Sequence, residues 1–459
     1  MKLRSILALV VICLGIRTVA LGAPGDRIDV YEANPAYWQY GGQPVVLIGG
    51  SKDDNLFQIP DLAEHLDLLQ SVGGNYVRNT MSARLDKGFE VQAFAQRDDG
   101  KYDLERWNDE YWQRFENLLT WAEARDIIVQ IEVWATFDYY RDNWDVNPFN
   151  PKNNVNYTAD QTGLPVRVTS HPTRTENNFF WSVPAERNQT AVLKYQERFV
   201  DKLLSIALAH GNVLYCMDNE TSVTPEWGWY WAKYIQAKAK AAGVNVHTTE
   251  MWDAWDLANA QHNATFDHPE IYAFVDISQN NHQKGQAHWD NAQKQRRRIA
   301  DKRRPLNCVK IYGADSGRFG NDRDGMERFW RNIFGGLAAA RFHRPDSGLG
   351  LGDKAQANLK SMRLLLDEID AFTCAPHNDL LAERAENEAY CMADPGTAYA
   401  VYFPNGGEVT LEVGALPASA RVRWLNVMQS EWMRAVPVQA DGKLMLKCPS
   451  QDYWVVLIK

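Results

Sequence analysis

The sequence predicts an α/β architecture in which eight strand-and-helix repeats close a (β/α)8 TIM barrel, followed by a small antiparallel β-sandwich. Three observations carry that prediction. Between residues 44 and 372 short apolar runs alternate with amphipathic helices, the pattern of parallel strands buried on both faces. Eight such units can be counted, which suits a closed barrel better than an open sheet. After Phe372 the apolar period changes from helical to alternating. No Gly-x-Gly-x-x-Gly follows the first strand, which counts against a dinucleotide-binding sheet.

Each element follows from local signals. Arg27 to Tyr31 is strand-like, Gly41-Gly42 is a turn, and Pro44 to Gly50 reads as the first buried strand. Leu62, Leu66, Leu69 and Val72 share one face of a helix over Ile59 to Val72, and Asn75 to Asn79 is the next strand. A helix over Asp109 to Arg125 precedes the strand Ile127 to Val133. A long polar and aromatic loop then runs from about Thr136 to Arg187. Thr190 to His210 is a helix delivering the strand Val213 to Met217. Pro225 to Ala242 is a helix, with Val244 to Glu250 as the strand after it. Ile271 to Ile277 and Leu306 to Tyr312 are strands on either side of a helix over Ala287 to Ala300. Gly325 to Ala339 is a helix, Ala340 to His343 a short strand, and Lys354 to Phe372 the last helix. Five alternating runs between Ala398 and Ile458, separated by turns such as Asn405-Gly-Gly407, make the sandwich. The expected divisions are a leader over 1–22, the barrel over 23–373 and the sandwich over 374–459.

The leader rests on Lys2 and Arg4, an apolar run from Ile6 to Ile16, and small residues Ala20 and Gly22 before Pro24, the layout of a secretory signal peptide. The run is too short to span a bilayer comfortably, so the expected location is secreted or periplasmic, with no membrane association after cleavage. Four Asn-x-Thr sequons, at Asn156, Asn188, Asn219 and Asn263, would matter only where a glycosylation machinery exists. The chain of 459 residues has a net charge of -9, which excludes a general nucleic-acid binder. One basic cluster, Arg296 to Arg304, reads as a solvated helix face and its exit. Five cysteines follow the leader. Cys216 and Cys308 sit in apolar runs and read as buried thiols, Cys374 with Cys391 is the one pair worth testing for a bridge, and no spacing suggests a metal site.

Chemistry in a barrel of this kind belongs at the C-terminal ends of the strands. The residues that end the apolar runs are Ser51, Asp53 and Asp54; Arg78 and Asn79; Glu132 and Trp134; Asp218, Asn219 and Glu220; His247 and Glu250; Asp276, Gln279 and His282; Lys310 and Tyr312; and His343. For Asp53, Asp54 and Asp276 helix capping is the plainer reading. Aromatic residues crowd the loop after the third strand, among them Phe137, and recur as Trp252 and Trp255 after the fifth. Flat aromatic faces beside amides and carboxylates suit sugar rings, although about half of the tryptophans are expected to pack helices. Lys310, Arg78 and Arg341 could receive an acidic sugar.

The strand order, Asn219-Glu220 closing the fourth strand and Arg78 on the second resemble glycoside hydrolase clan A, the retaining (β/α)8 enzymes that include family 5. Arg328 to Ala338 before the eighth strand, with the appended sandwich, is similar to the apiosidase-type family 140. The resemblance implies Glu220 as general acid/base, Asn219 on the sugar 2-hydroxyl, Arg78 as support for a nucleophile, and no cofactor. It also implies a Glu ending the seventh strand, where this sequence has Lys310. Glu250 and Asp315 are the alternative carboxylate partners. Arg78, Asn79, Trp134, Asp218, Asn219, His247, Trp252, His282, Lys310 and Tyr312 are the expected substrate-binding residues.

Three functions compete: hydrolysis of O-glycosidic bonds in a polysaccharide or oligosaccharide through Glu220 and a second carboxylate; carbohydrate binding without catalysis, suggested by Lys310; and elimination on a uronate polymer, with Lys310 or Tyr312 as base and Arg341 or Arg78 on the carboxylate.

Overall fold

The computed structural model describes residues 27–171, 177–314, 317–440 and 442–459; the leader and Asp315 lie outside the described residues. Eight parallel strands form one sheet: β1 (Leu47–Gly50), β2 (Tyr76–Thr80), β3 (Ile128–Ala135), β4 (Val213–Asn219), β5 (Thr248–Thr249), β6 (Val275–Asp276), β7 (Leu306–Ile311) and β8 (Ala339–Phe342). Neighbours run in the order 5-4-3-2-1-8-7-6, and β8 pairs with β1 through Ala339 opposite Leu47, so the sheet curls on itself as a barrel. The only interruption in this hydrogen-bonded order, among the described residues, is a seam between β5 and β6.

The sequence predicts seven-residue strands at both sides of that seam, yet each pairs over only two residues. Side-chain hydroxyls explain the difference. Thr248 Oγ1 donates to Ile271 O at 2.6 Å and Thr249 Oγ1 to Phe274 O at 2.8 Å, so threonine hydroxyls satisfy carbonyls that a backbone ladder would otherwise take. The unit after β5 also lacks a full helix: only the single turns Ala260–His262 and Asn263–Phe266 follow.

The helices that cover the barrel are α1 (Leu62–Ser71), α2 (Asp109–Glu123), α3 (Thr190–Ala207), α4 (Pro225–Ala241), α5 (Gly285–Arg298), α6 (Asp322–Phe334) and α7 (Asp353–Leu366). Their starts follow capping chemistry. Asn108 accepts from Glu110 N before α2, Asn321 and Asp324 form a reciprocal capping box at α6, and Pro225 opens α4. An antiparallel hairpin, Phe94–Gln96 with Tyr102–Trp107, separates β2 from α2; the sequence reading passes over it because its strands alternate weakly. At the N-terminal end of the barrel, a ribbon of Asp29–Val30, Trp38–Tyr40 and Gln43–Val45 drives the fully buried Trp38 inward, where its Nε1 donates to Asn307 Oδ1 at 3.1 Å.

Antiparallel strands begin at Ala375 and form two sheets, one built on Tyr390–Asp394, Ala398–Phe403, Trp454–Ile458 and Arg421–Asn426, the other on Leu381–Ala382, Glu408–Val413 and Gly442–Lys447. Tyr402 stacks on Trp330 of α6 at 5.1 Å, and Ser361 of α7 donates to Val427 O at 2.6 Å, so the sandwich packs on the last two barrel helices. Cys374 and Cys391 are free, buried thiols, as are Cys216 and Cys308.

Candidate active site

The loops beyond β3 to β8 line a cleft of about 940 Å³. Glu220 stands on its floor. Strand alternation sends Asp218 outward to α4, where Trp227 Nε1 donates to its Oδ2 at 2.8 Å, and Asn219 inward to the barrel. Glu220 should then point outward again. Its backbone is instead left-handed, with φ +59°, a conformation that costs a non-glycine residue free energy, and this turn brings its carboxylate back to the inner side.

On that side it meets Lys310. The Lys310 ammonium lies 2.9 Å from Glu220 Oε1 and donates to Asn219 Oδ1 at 2.5 Å. Burial alone would raise the Glu220 pKa, but the charge and hydrogen bond of Lys310, helped by Arg78, outweigh it and hold the carboxyl below the usual range. Lys310 itself is buried, with its backbone fixed from β6 by the Ser278 hydroxyl and the Asn281 amide.

Past Glu220, pairing with the β5 segment continues: Thr221 N donates to Met251 O at 3.0 Å and Asp253 N to Thr221 O at 2.8 Å. This register carries Asp253 to the cleft, with Ser222 Oγ 3.5 Å from its Oδ2. Aromatic rings make the walls. Phe319 stacks on Tyr312 at 4.4 Å, His282 meets Phe319 edge-on at 5.0 Å, and the exposed Trp255 lies 5.9 Å from His282. Burial, and then the charge of Arg318, lower the His282 pKa, so its ring is neutral at neutral pH. Arg344 and Asp346, ion-paired at 2.8 Å, form another part of the rim.

Of the expected residues, Glu220, His282 and Tyr312 line the cleft, and Lys310 with Asn219 supports Glu220 from below. Gln279, Phe137 and Trp255, also singled out in the sequence, line it too, whereas most of the other described strand-end residues are committed elsewhere. Arg78 is wholly buried, fork-bonded to Glu132 at 2.5 Å and paired with Asp54 at 2.5 Å, and Arg344 pairs with the other Asp54 oxygen. Asp54 is therefore an ion-pair partner rather than a helix cap, and burial, which would raise its pKa, is overcome by Arg78, His343 and Arg344. Asn79 is spent on Phe57 N, and Arg341 on Val309 O and the Ser51 hydroxyl. Trp134 packs in the core against Trp231, Phe179 and Phe199, and Trp252 donates to Thr265 Oγ1. His247 precedes β5 instead of ending it and sits at the opposite end of the barrel, 2.9 Å from Asp29 and against Trp38.

Glu250 is the main correction. It is 1% exposed, its Oε1 accepts from Asp218 N at 3.0 Å and Met251 N at 2.8 Å, and it forms a buried pair with the Asp218 carboxyl. Burial, and for Glu250 the neighbouring Asp218 charge, push both carboxyls well above the usual range, so the pair keeps a proton. Gly228 makes room for it: a Cβ there would come within 2.5 Å of Glu250 Oε2. Asp276 has a related environment; burial, opposed by hydrogen bonds from Ser278, raises it to about 6. Of the cleft residues that the sequence reading missed, Asp253, Arg344 and Asp346 lie a few positions beyond a strand's last apolar residue, and Arg318 and Phe319 lie seven and eight beyond Ile311. Listing residues to five past each run would have included several of them.

No protein-family model matches the chain, and no curated protein matches it in sequence. Solved structures do resemble it in shape. One, a glycoside hydrolase, aligns with a TM-score of 0.65 at 12% identity, covering 96% of this chain and 98% of that one. Another, a glycoside hydrolase family 5 structure from Bacteroides vulgatus ATCC 8482, gives a TM-score of 0.63 at 11% identity over 96% of this chain and 95% of that one. At such identities the likeness is one of fold, and the chain has, over nearly its whole length, the clan A (β/α)8 glycosidase fold.

Proposed function

We propose that the protein hydrolyses a glycosidic bond of a polysaccharide or oligosaccharide held in the cleft, with Glu220 entering the reaction as an ionised carboxylate. The observation that carries this reading is the Lys310–Glu220 ion pair on the floor of an aromatic, polar cleft. A carboxylate held ionised accepts a proton from water rather than giving one to a leaving group. Retention would need a second carboxylate about 5 Å away, and Lys310 occupies the seventh-strand position from which clan A supplies it. Inversion needs only a base, an acid and room for a water between them. Glu220 serves as the base and Asp253, on the cleft wall, as the proton donor. Tyr312, Phe319 and Trp255 offer faces to the sugar ring, and Asn219 reaches the same floor. The signal-like leader supports action outside the cytoplasm.

Binding without cleavage is the second reading, favoured by the same ammonium, which occupies one Glu220 oxygen. Elimination is less well supported. Lys310 is committed to Glu220 and Asn219, burial pushes the Tyr312 phenol well up, and Arg341 is buried away from the cleft. The test is a panel of plant and microbial glycans incubated with wild type, Glu220→Gln and Asp253→Asn. Each substitution should lower turnover by about a thousandfold while glycan binding persists, and the first product observed by NMR should have inverted anomeric configuration. Full turnover by Glu220→Gln would sink the assignment. Tight binding by wild type with no cleavage of the bound glycan would favour the second reading.

A further inference from the structure

A second cavity, of about 170 Å³, lies at the other end of the barrel, where the chain leaves α5 and enters β7. Arg296, Arg297, Arg303 and Arg304 line it, with Ile299 and Leu306 as an apolar wall. The solvated-helix reading of this cluster fits only part of it. Arg298 does face outward, to Asp267 at 3.1 Å and Asn263 at 2.6 Å. Arg303 and Arg304 lie beyond the helix, and Arg304 is 5% exposed.

Two of these side chains are fixed in place. Arg304 donates to Thr265 O and Phe266 O at 3.0 and 2.8 Å, while its Nε is buried without an acceptor. Arg296 Nη1 donates to Gln293 Oε1 at 3.0 Å, and its guanidinium rests on Gly336, where a Cβ would come within 3.0 Å of it. Among the described residues, no carboxylate is ion-paired with any of the four, and Arg297 and Arg303 make no hydrogen bond through their guanidinium groups. Burial lowers the Arg296 pKa, with Tyr37 opposing and Arg303 and Arg297 adding to the fall, and burial lowers Arg304 to about 10. Gathering four like charges around one half-enclosed space is unfavourable unless an anion joins them.

We propose that this cavity is a binding site for a small oxyanion, phosphate or sulfate, either free or as the ester of a small alcohol. Guanidinium groups present paired N–H donors that match the oxygens of such an anion. Arg296, Arg297 and Arg303 supply them, Arg304 is the buried positive floor, and Ile299 with Leu306 receives the carbon of an ester. The site is at the far end of the barrel from the cleft and is independent of the function proposed for it.

Calorimetric titration of the full chain with inorganic phosphate, sulfate and glycerol phosphate, against chloride at equal ionic strength, tests this. Saturable binding of phosphate or sulfate is expected, with a thermal midpoint raised above that in chloride. A tighter response to glycerol phosphate than to inorganic phosphate would identify the ligand as an ester; equal responses would identify the free anion. Arg297→Gln/Arg303→Gln removes two exposed groups without bonds in the fold and relieves their mutual repulsion, so its midpoint in chloride should be no lower than that of wild type while anion affinity falls by about tenfold or more. Equal behaviour in chloride and in all three oxyanions, or undiminished binding by the double variant, overturns the proposal.

Discussion

Asp218, buried, and Glu220, partly buried, stand at the end of one strand, and their acidities are driven in opposite directions. Asp218 meets only another carboxyl, Glu250, and an indole N–H, so burial dominates and the pair retains a proton. Glu220 meets an ammonium, and its carboxyl is held ionised despite burial. What separates them is which neighbouring element each faces: Asp218 looks toward α4 and β5, Glu220 across the barrel toward β7. The left-handed backbone at residue 220 makes that choice, because regular alternation would have sent both outward. Two carboxyls with divergent pKa values on one strand are the arrangement that acid–base chemistry uses, but here only Glu220 opens onto the cleft.

Removing the ammonium should erase the contrast, and this is the largest effect expected. Lys310→Met leaves the Glu220 carboxylate without its counter-ion, so the variant should lose about 4 kcal/mol of stability at neutral pH. The sign of the pH dependence follows from the lowered Glu220 pKa. Its stabilisation is present above the unfolded value and lost as pH falls through the folded one, so the deficit of Lys310→Met relative to wild type should shrink in acid. Adding Glu220→Gln should recover most of the loss at pH 7 in denaturant unfolding. An equal loss with and without Glu220 would mean that Lys310 acts through Asn219 or packing instead.

The fold was legible because barrel strands and helices carry their periods in local sequence, and eight apolar runs near Ile48, Val77, Val129, Leu214, Thr248, Val275, Val309 and Ala340 coincide with the eight strands. The seam between β5 and β6 was not, since Thr248 and Thr249 look like strand formers and their hydroxyl bonds are tertiary. The site was half legible. Position in the barrel singled out Glu220, and the sequence also showed Lys310 where a carboxylate was expected. Nothing local reveals that Glu250 turns under the floor, that Arg78 is consumed by Glu132 and Asp54, or that His247 opens its strand rather than closing it. Direction, more than identity, was the missing information.

The Asp218–Glu250 pair offers the next test. A carboxyl pKa raised by folding contributes stability below its unfolded value and loses it as pH rises through the folded value. Wild type should therefore weaken on account of this pair as pH rises above the unfolded carboxyl values. Asp218→Asn/Glu250→Gln keeps the shapes and the hydrogen-bond acceptors but needs no proton, so most of that decline should disappear. Urea unfolding at successive pH values measures it. An unchanged slope would show that the pair is not the proton-holding group.

Asp276 is the intermediate case, and its effect should be the smallest. It ends β6, is buried, accepts two hydrogen bonds from Ser278 and feels the Lys310 charge, which leaves its pKa raised only to about 6. Its contribution to stability should accordingly be lost between about pH 4 and pH 6, by about 3 kcal/mol in total, and Asp276→Asn should flatten stability in that window alone. The link to Lys310 supplies a sharper check. In Lys310→Met the upper edge of the Asp276 window should move to higher pH, because the charge that now opposes burial is gone. Following the Asp276 carboxyl by NMR in both backgrounds separates this from global unfolding. If its titration stays near 6 without Lys310, the ammonium acts on Glu220 alone, and the difference between Asp218 and Glu220 rests on a single pairwise contact rather than on the charge of the whole barrel mouth.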